Sequence, residues 1–559
     1  MQISTLWDKI KEMIKNMVGA KSVEQVLKVT PVISSAMSEA IDLWDRMYKD
    51  ESPWLHEPSY NDPTKVVSLG LPAFIASEKA RMAVLELKSE VTTPTEEVDE
   101  LNPNYEPIEP TPENPFPINT QPETIKKDKP IGDTARAEYL NKQYEKVLKK
   151  IRNQLEYGIA SGGLIIKPYV VENKKSVIKN DQVVEGEQET NTEIEFDYIH
   201  ADSFFPLSFD GSGKVTEAAF IQTKADKDTV YRRLEYHKLE GNTVKVSNKA
   251  FKSTNNSMTM NVQGDTDLGK EVPLSEVPEW KDLAPEVTIG NVDRLLFAYF
   301  KMPIANTIDT HSPLGVSGFS RAVKLIKEAD LQYSRLLWEF EGGELAIDID
   351  LDAMNFKNKD ESGNPVPSMN NLQNRLFRSI DLGESNTYQP YSPALRDASF
   401  INGLNTILMR IEDVCALSRG TLSDVAAEAR TATELKILKQ RSYSANEEIQ
   451  KALQTTLEDV VYIMNVYCDL YEITTSGEYD ISFEWDDSIL VDVNEELNKR
   501  LQLMHDGLTS KVETRMWYFG ETEAQAREKL LEIDEETQKA IEQNMAQQQK
   551  MFGKPEGVE

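Results

Sequence analysis

No proline occurs between Pro393 and Pro555, and no glycine between Gly420 and Gly477; this unbroken stretch restricts the possible folds more than any other feature of the chain. Thr431 and Glu434 stand at capping-box spacing, where a hydroxyl and a carboxylate each satisfy an amide that a helix start leaves orphaned. Leu435, Leu438, Ile449, Leu453, Leu457, Val460, Met464 and Tyr467 continue one apolar stripe to about Tyr471. Roughly forty residues at ~1.5 Å each make a rod of about 60 Å. Few globular domains need a helix of that length, so an extended or assembled architecture is expected.

The chain before this rod changes period several times. From Met1 to Glu90 the apolar residues recur at helical spacing, starting with Ile3, Leu6, Trp7 and Ile10, and Pro31, Pro53 and Pro72 divide them into three or four short helices. Thr92 to Pro130 is rich in Pro and Glu and reads as an extended, solvated excursion, not a helix or a central strand. A helix from about Thr134 to Tyr157 is expected to end at Gly158. Strands are expected at Leu164–Val171, Ser176–Val184 and Glu193–His200, with Ala218–Lys224, Thr229–His237 and Thr243–Val246 extending the same sheet. Phe319 to Phe340 forms one helical stripe, containing Asp330 and closed by Gly342 and Gly343. A strand-like run at Glu344–Met354, a turn-rich region at Asn358–Asn374 and Tyr388–Pro393 make a small insertion before a second helix, Asp397 to Leu417. A strand at Tyr479–Trp485 and three shorter helical patterns complete an α+β, multi-domain chain.

Charge and motif content narrow the function. The formal charge of −32 argues against tight nucleic-acid binding, which depends on Lys and Arg displacing counterions from phosphates. Lys9, Lys11, Glu12 and Lys15 interrupt the apolar run that a secretory leader requires, and the greasiest helical stretch, Val460 to Leu470, is broken by Asn465 and Asp469. Neither a leader nor a membrane span is expected. Cys415 and Cys468 read as buried thiols. Gly211-Ser212-Gly213-Lys214 imitates a phosphate loop, yet Ser208 and Val215 stand where Gly and Ser or Thr are needed, and a hairpin turn explains it better. Asp348, Asp350 and Asp352 imitate a calcium loop that Ala353 and Lys359 spoil. The histidines lack metal-spaced partners, and the common nucleophilic signatures are absent. No catalytic residue, metal or cofactor is expected.

Four segments carry a resemblance: Trp44 to Trp54 (WDRMYKDESPW), Ser68 to Arg81 (SLGLPAFIASEKAR), Ser317 to Glu341, and Leu417 to Ser423 leading into Thr431 to Glu434. In these segments and in the order of its elements the chain resembles the portal proteins of tailed double-stranded DNA phages, in particular the subfamily from long-tailed phages of Gram-positive bacteria. The resemblance implies a wing over residues 1–308, a first stem helix region at 309–341, a clip at 342–396, a second stem helix at 397–417 and a tunnel loop at 418–430. It further implies a long wing helix at 431–478 and a crown with C-terminal tail at 479–559. Ser418, Arg419, Thr421, Ser423 and Arg430 become candidates to face DNA, and Arg375 and Arg378 candidates to dock a partner at the clip. By the same resemblance the chain assembles in the host cytoplasm as a homo-oligomeric ring, a dodecamer, at the capsid portal vertex of the virion. The ring passes double-stranded DNA, docks the terminase large subunit and later the head-to-tail adaptor proteins, and meets major capsid and scaffolding proteins. An acidic lining suits such a channel, because it lets phosphate slide where a basic one would hold it.

Two other readings are compatible with the sequence. A capsid-associated enzyme, a nuclease or transferase with a structural head domain, would need clustered acidic ligands and metal-dependent activity. A cytoplasmic helical scaffold would need only the rod, and closed rings with a central hole distinguish the portal from it.

Overall fold

A computed structural model describes residues 23–29, 32–55, 66–85, 87–101, 124–179, 182–226, 229–253, 268–350, 358–359, 365–366, 377–380, 388–424, 432–485 and 493–521, with short pieces as far as 539. They belong to two compact units, Met1–Glu484 and Trp485–Glu559.

Among the described residues the first unit starts with helices α1 (Val23–Leu27), α2 (Ser35–Tyr48) and α3 (Leu71–Val84). Ser34 caps α2 by accepting the Met37 amide at 3.3 Å, and the stripe Met37, Ile41, Trp44, Met47 is buried. The apolar stripe expected before Val23 lies outside the described residues. After β1 (Leu87–Thr92), strands β2 (Thr95–Leu101) and β3 (Thr124–Pro130) form an antiparallel ribbon with Thr95 opposite Pro130. The base of the Pro-rich excursion is therefore extended as expected, and it is paired; residues 102–123 lie outside the described ones.

Helix α4 (Ala135–Ser161) runs past Gly158, against expectation, and stops at Gly162, whose φ of +96° is the left-handed conformation of a C-cap. Gly158 serves packing instead: a Cβ there would stand 2.8 Å from that of Leu164. Strands β4 (Gly163–Lys179) and β5 (Gln182–His200) are one long hairpin, and Ser176–Val184, expected as a strand of its own, spans its tip with Ile178 opposite Val183. Val177 and Ile178 stand before the reversal and Val183 and Val184 after it, so apolar content alone did not separate the two strands.

The expectation of one continuous sheet is also corrected. Strands β6 (Phe204–Phe209), β7 (Val215–Asp226), β8 (Thr229–Glu240), β9 (Thr243–Ser253) and β10 (Lys270–Val272) make a separate antiparallel sheet, joined at β9 by β11 (Glu286–Gly290). Strand β12 (Ala298–Lys301) pairs with β4. The Asp210–Gly213 segment is the β6–β7 turn, with Gly213 at φ +82°. A buried ionic cluster links the sheets: Glu235 of β8 accepts Lys167 Nζ of β4 at 2.9 and 3.0 Å, Arg233 at 2.9 Å, and lies 2.7 Å from His237 Nε2. Burial alone would raise the Glu235 carboxyl, but Lys167, His237 and Arg233 together hold it well below the usual carboxylate range.

Helix α5 (Val323–Gly342) leads into short strands β13 (Ala346–Asp350), β14 (Asn358–Lys359), β15 (Pro365–Val366), β16 (Phe377–Ile380) and β17 (Tyr388–Tyr391). In this insertion β13 is central, parallel to β16 and antiparallel to β17. Helix α6 (Asp397–Cys415) follows, then α7 (Ala432–Leu470), a single helix of 39 residues. Helix α7 packs on β4 and β12; Ile449, Leu453, Leu457, Val460 and Met464 of the sequence stripe are buried, with Val461 beside them, while the side chains of Leu435 and Leu438 lie outside the described residues. Strand β18 (Asp480–Trp485) pairs with β1. The second unit contains α8 (Val493–His505) and α9 (Lys511–Phe519), the latter started by a complete capping box of Ser510 and Glu513. No helix among the described residues is long and apolar enough to cross a membrane.

Candidate functional site

Helices α5 and α6 pack against each other, with the insertion joining them at one end. There Arg396 donates its backbone amide, Nε and Nη2 to the Glu339 carboxylate at 3.1, 3.1 and 2.7 Å, and those bonds hold Glu339 below its ordinary pKa. A Cβ on Gly403 of α6 would lie 3.5 Å from Gln332 of α5, an ordinary contact. Only Ile411, Glu412 and Cys415 of α6 are buried. Trp338, Phe340, Leu345, Leu395 and Ile401 remain 41–58% exposed, a concentration of large apolar side chains at the insertion end of the pair.

Two polar devices fix the pair to its surroundings. Asp330, buried in the middle of α5, accepts Trp54 Nε1 and the Leu69 amide at 2.9 Å each. One turn later Ser334 accepts the Val67 amide at 2.8 Å. Burial raises the Asp330 carboxyl and the two hydrogen bonds oppose that rise. Trp54 and Leu69 come from the two N-terminal segments singled out in the sequence, so this one carboxylate joins three stretches of chain.

The second device shapes the loop after α6. The helix ends at Ala416 with φ +55°, and the chain turns back over it. Glu412, completely buried, accepts the amides of Gly420, Leu422 and Ser423 at 3.1, 2.7 and 2.8 Å on Oε1, and the Ser423 hydroxyl at 2.8 Å on Oε2. Asn405 holds Asp424 through both its amide and its carbonyl, at 2.8 and 2.9 Å. Thr421 Oγ1 donates to the Ser418 carbonyl at 2.7 Å. Arg419 donates to Asp413 at 2.6 Å. Residues 418–424 are thus a compact turn organised around one carboxylate.

Of the residues singled out in the sequence, the structure brings Ser418, Arg419, Thr421 and Ser423 together in this turn. Ser423 is buried against Glu412, and the Arg419 guanidinium has Asp413 as its partner. Arg430, Thr431 and Arg375 lie outside the described residues, as do the side chains of Glu434 in α7 and Arg378 in β16. Sequence reading passed over Glu412 and Asn405. The available signal was a carboxylate next to Ile411 and three residues before Cys415, on the face the helix buries, followed directly by a polar loop. Both thiols are buried, which pushes each up to about 11. No group of three His, Cys, Asp or Glu among the described residues could hold a metal ion.

The sequence model of the family described as phage portal protein, SPP1 Gp6-like, matches residues 118–543. A search of curated proteins finds no match.

Proposed function

The chain belongs to the phage portal protein family, SPP1 Gp6-like, and from that premise we propose that identical copies close into a ring at the capsid vertex, through which double-stranded DNA is packaged and ejected. In this reading residues 1–308 and the long helix after 431 form the wing, α5 and α6 the paired stem helices, 342–396 the clip, 418–430 the tunnel loop and 479–559 the crown. The terminase large subunit docks on the clip and is replaced by head-to-tail adaptor proteins, while capsid and scaffolding proteins meet the wing. Force comes from the terminase, so the portal needs no catalytic group of its own, and a net charge of −32 favours sliding over adhesion.

The exposed apolar side chains of α5 and α6 carry this reading. One copy leaves Trp338 and Ile401 about half exposed, and side chains of that size favour burial by roughly 1.5–3 kcal/mol each. A neighbouring stem pair supplies the cover. Trp338→Glu and Ile401→Glu are expected to weaken assembly by at least about tenfold each while leaving thermal unfolding of the dissociated chain unchanged, as read by light scattering and calorimetry. Rings of undiminished stability in both variants would remove the stem contact from the proposal.

A further inference from the structure

Lys79 of α3 is the one residue of the buried stripe Ile75, Ala76, Lys79, Ala80, Ala83 that carries a charge. It is 5% exposed, and among the described residues no hydrogen bond or ion pair holds its ammonium. Its stem is gripped where a Cβ on Gly318 would come 3.3 Å from Lys79 Cδ. Burial lowers its pKa, with Cys415 nearby opposing the change.

An unpaired ammonium is costly to bury, and here it lines a cavity of about 250 Å³ between α3, the segment before α5, the end of α6 and the face of α7. Ser320 belongs to the same wall, and its Oγ is buried without a partner among the described residues. Arg321 lines the cavity as well and is exposed, so a second cation stands near the opening. Glu448 of α7 is the one carboxylate in the lining; it is exposed and forms no ion pair with Lys79. The site therefore has one deep cation without an acceptor and a second at its mouth, which is the complement of a small anion with several oxygen atoms.

We propose that this cavity is an oxyanion site, taking a phosphate or carboxylate group on Lys79 with the Arg321 guanidinium at the opening as second donor. The anion comes either from solution or, in a ring, from an acidic side chain of the neighbouring copy; only that second source rests on the portal reading. A volume of this size admits inorganic phosphate or a carboxylate tip and is too small for a nucleotide.

The test uses the full chain, dissociated and as rings, with millimolar inorganic phosphate replacing chloride at constant ionic strength. Dissociated wild-type chains are expected to show a saturable rise in Tm of roughly 2–4 °C. Lys79→Met, which keeps the stem and removes the charge, abolishes the rise, and Arg321→Gln weakens the apparent affinity by about 2–10-fold. A response in dissociated chains that is missing from rings supports the site and assigns the anion to the neighbouring copy. An identical response in wild type and Lys79→Met, or no response in wild-type chains in either state, overturns the proposal.

Discussion

Glu412→Ala is expected to destabilise the chain by about 3–5 kcal/mol and to abolish order in residues 418–424. The carboxylate accepts three backbone amides and one hydroxyl, and hydrogen bonds to a charged group are worth ~1.5–3 kcal/mol each, with a further cost where a buried donor is left unmade. The sum is smaller than the four bonds suggest, because a released loop regains water. Glu412→Gln tests charge separately from shape: it keeps the volume, but its amide NH₂ faces donors, so about half the loss is expected. Hydrogen exchange at Gly420, Leu422 and Ser423 reads the effect locally, and unfolding by denaturant reads it globally. If the turn faces DNA, as the portal reading proposes, capsids built with Glu412→Ala package poorly even where rings assemble. Unchanged amide protection in Glu412→Ala would show that the carboxylate does not organise the turn.

The second large effect is expected at Arg136. Its side chain, 1% exposed, donates to the Thr475 carbonyl at 3.0 Å, the Thr474 carbonyl at 3.2 Å, and the Asn465 carbonyl and Oδ1 at 3.3 and 2.6 Å, and pairs with Asp469 at 2.7 Å. These acceptors are the last turns of α7 and the segment that leaves it, where a helix carries unsatisfied carbonyls and partial negative charge. Arg136 thus clamps the start of α4 to the end of the long helix. Arg136→Ala is expected to cost about 3–5 kcal/mol, because four acceptors on Asn465, Thr474 and Thr475 lose a charged donor; the pair with Asp469, whose side chain is 58% exposed, adds little. Arg136→Lys recovers little of it, since one ammonium cannot match a planar fork that reaches five acceptor atoms. A loss below about 1 kcal/mol in Arg136→Ala, measured by denaturant unfolding, would contradict this account.

The long helix, the order of elements and the two buried thiols were legible in the sequence, because each depends on a local pattern: an uninterrupted stripe, a change of period, a cysteine inside a helical repeat. The division of the strands into two sheets was not legible. It depends on β12, more than a hundred residues after β4, competing for the edge of that strand, and on the Lys167–Glu235 cluster between the sheets, neither of which leaves a local trace. Gly158 misled for the same reason, since a glycine that ends a helix and one that admits Leu164 look alike until the partner is known. In the candidate site the loop was located from its place between two helices, whereas the group that organises it was not. The visible polar residues, Ser423 and Arg419, are largely engaged in shaping the turn, and the organising group, Glu412, sits in the preceding helix where a charge looks like an exception to the stripe.

Electron cryomicroscopy of the purified full-length protein tests the central claim most directly. The account predicts closed rings with a central channel, α5 and α6 of each copy packed against the next, and residues 418–430 directed at the channel axis. Discrete monomers at micromolar concentration, or rings with that loop on the outer wall, would contradict it.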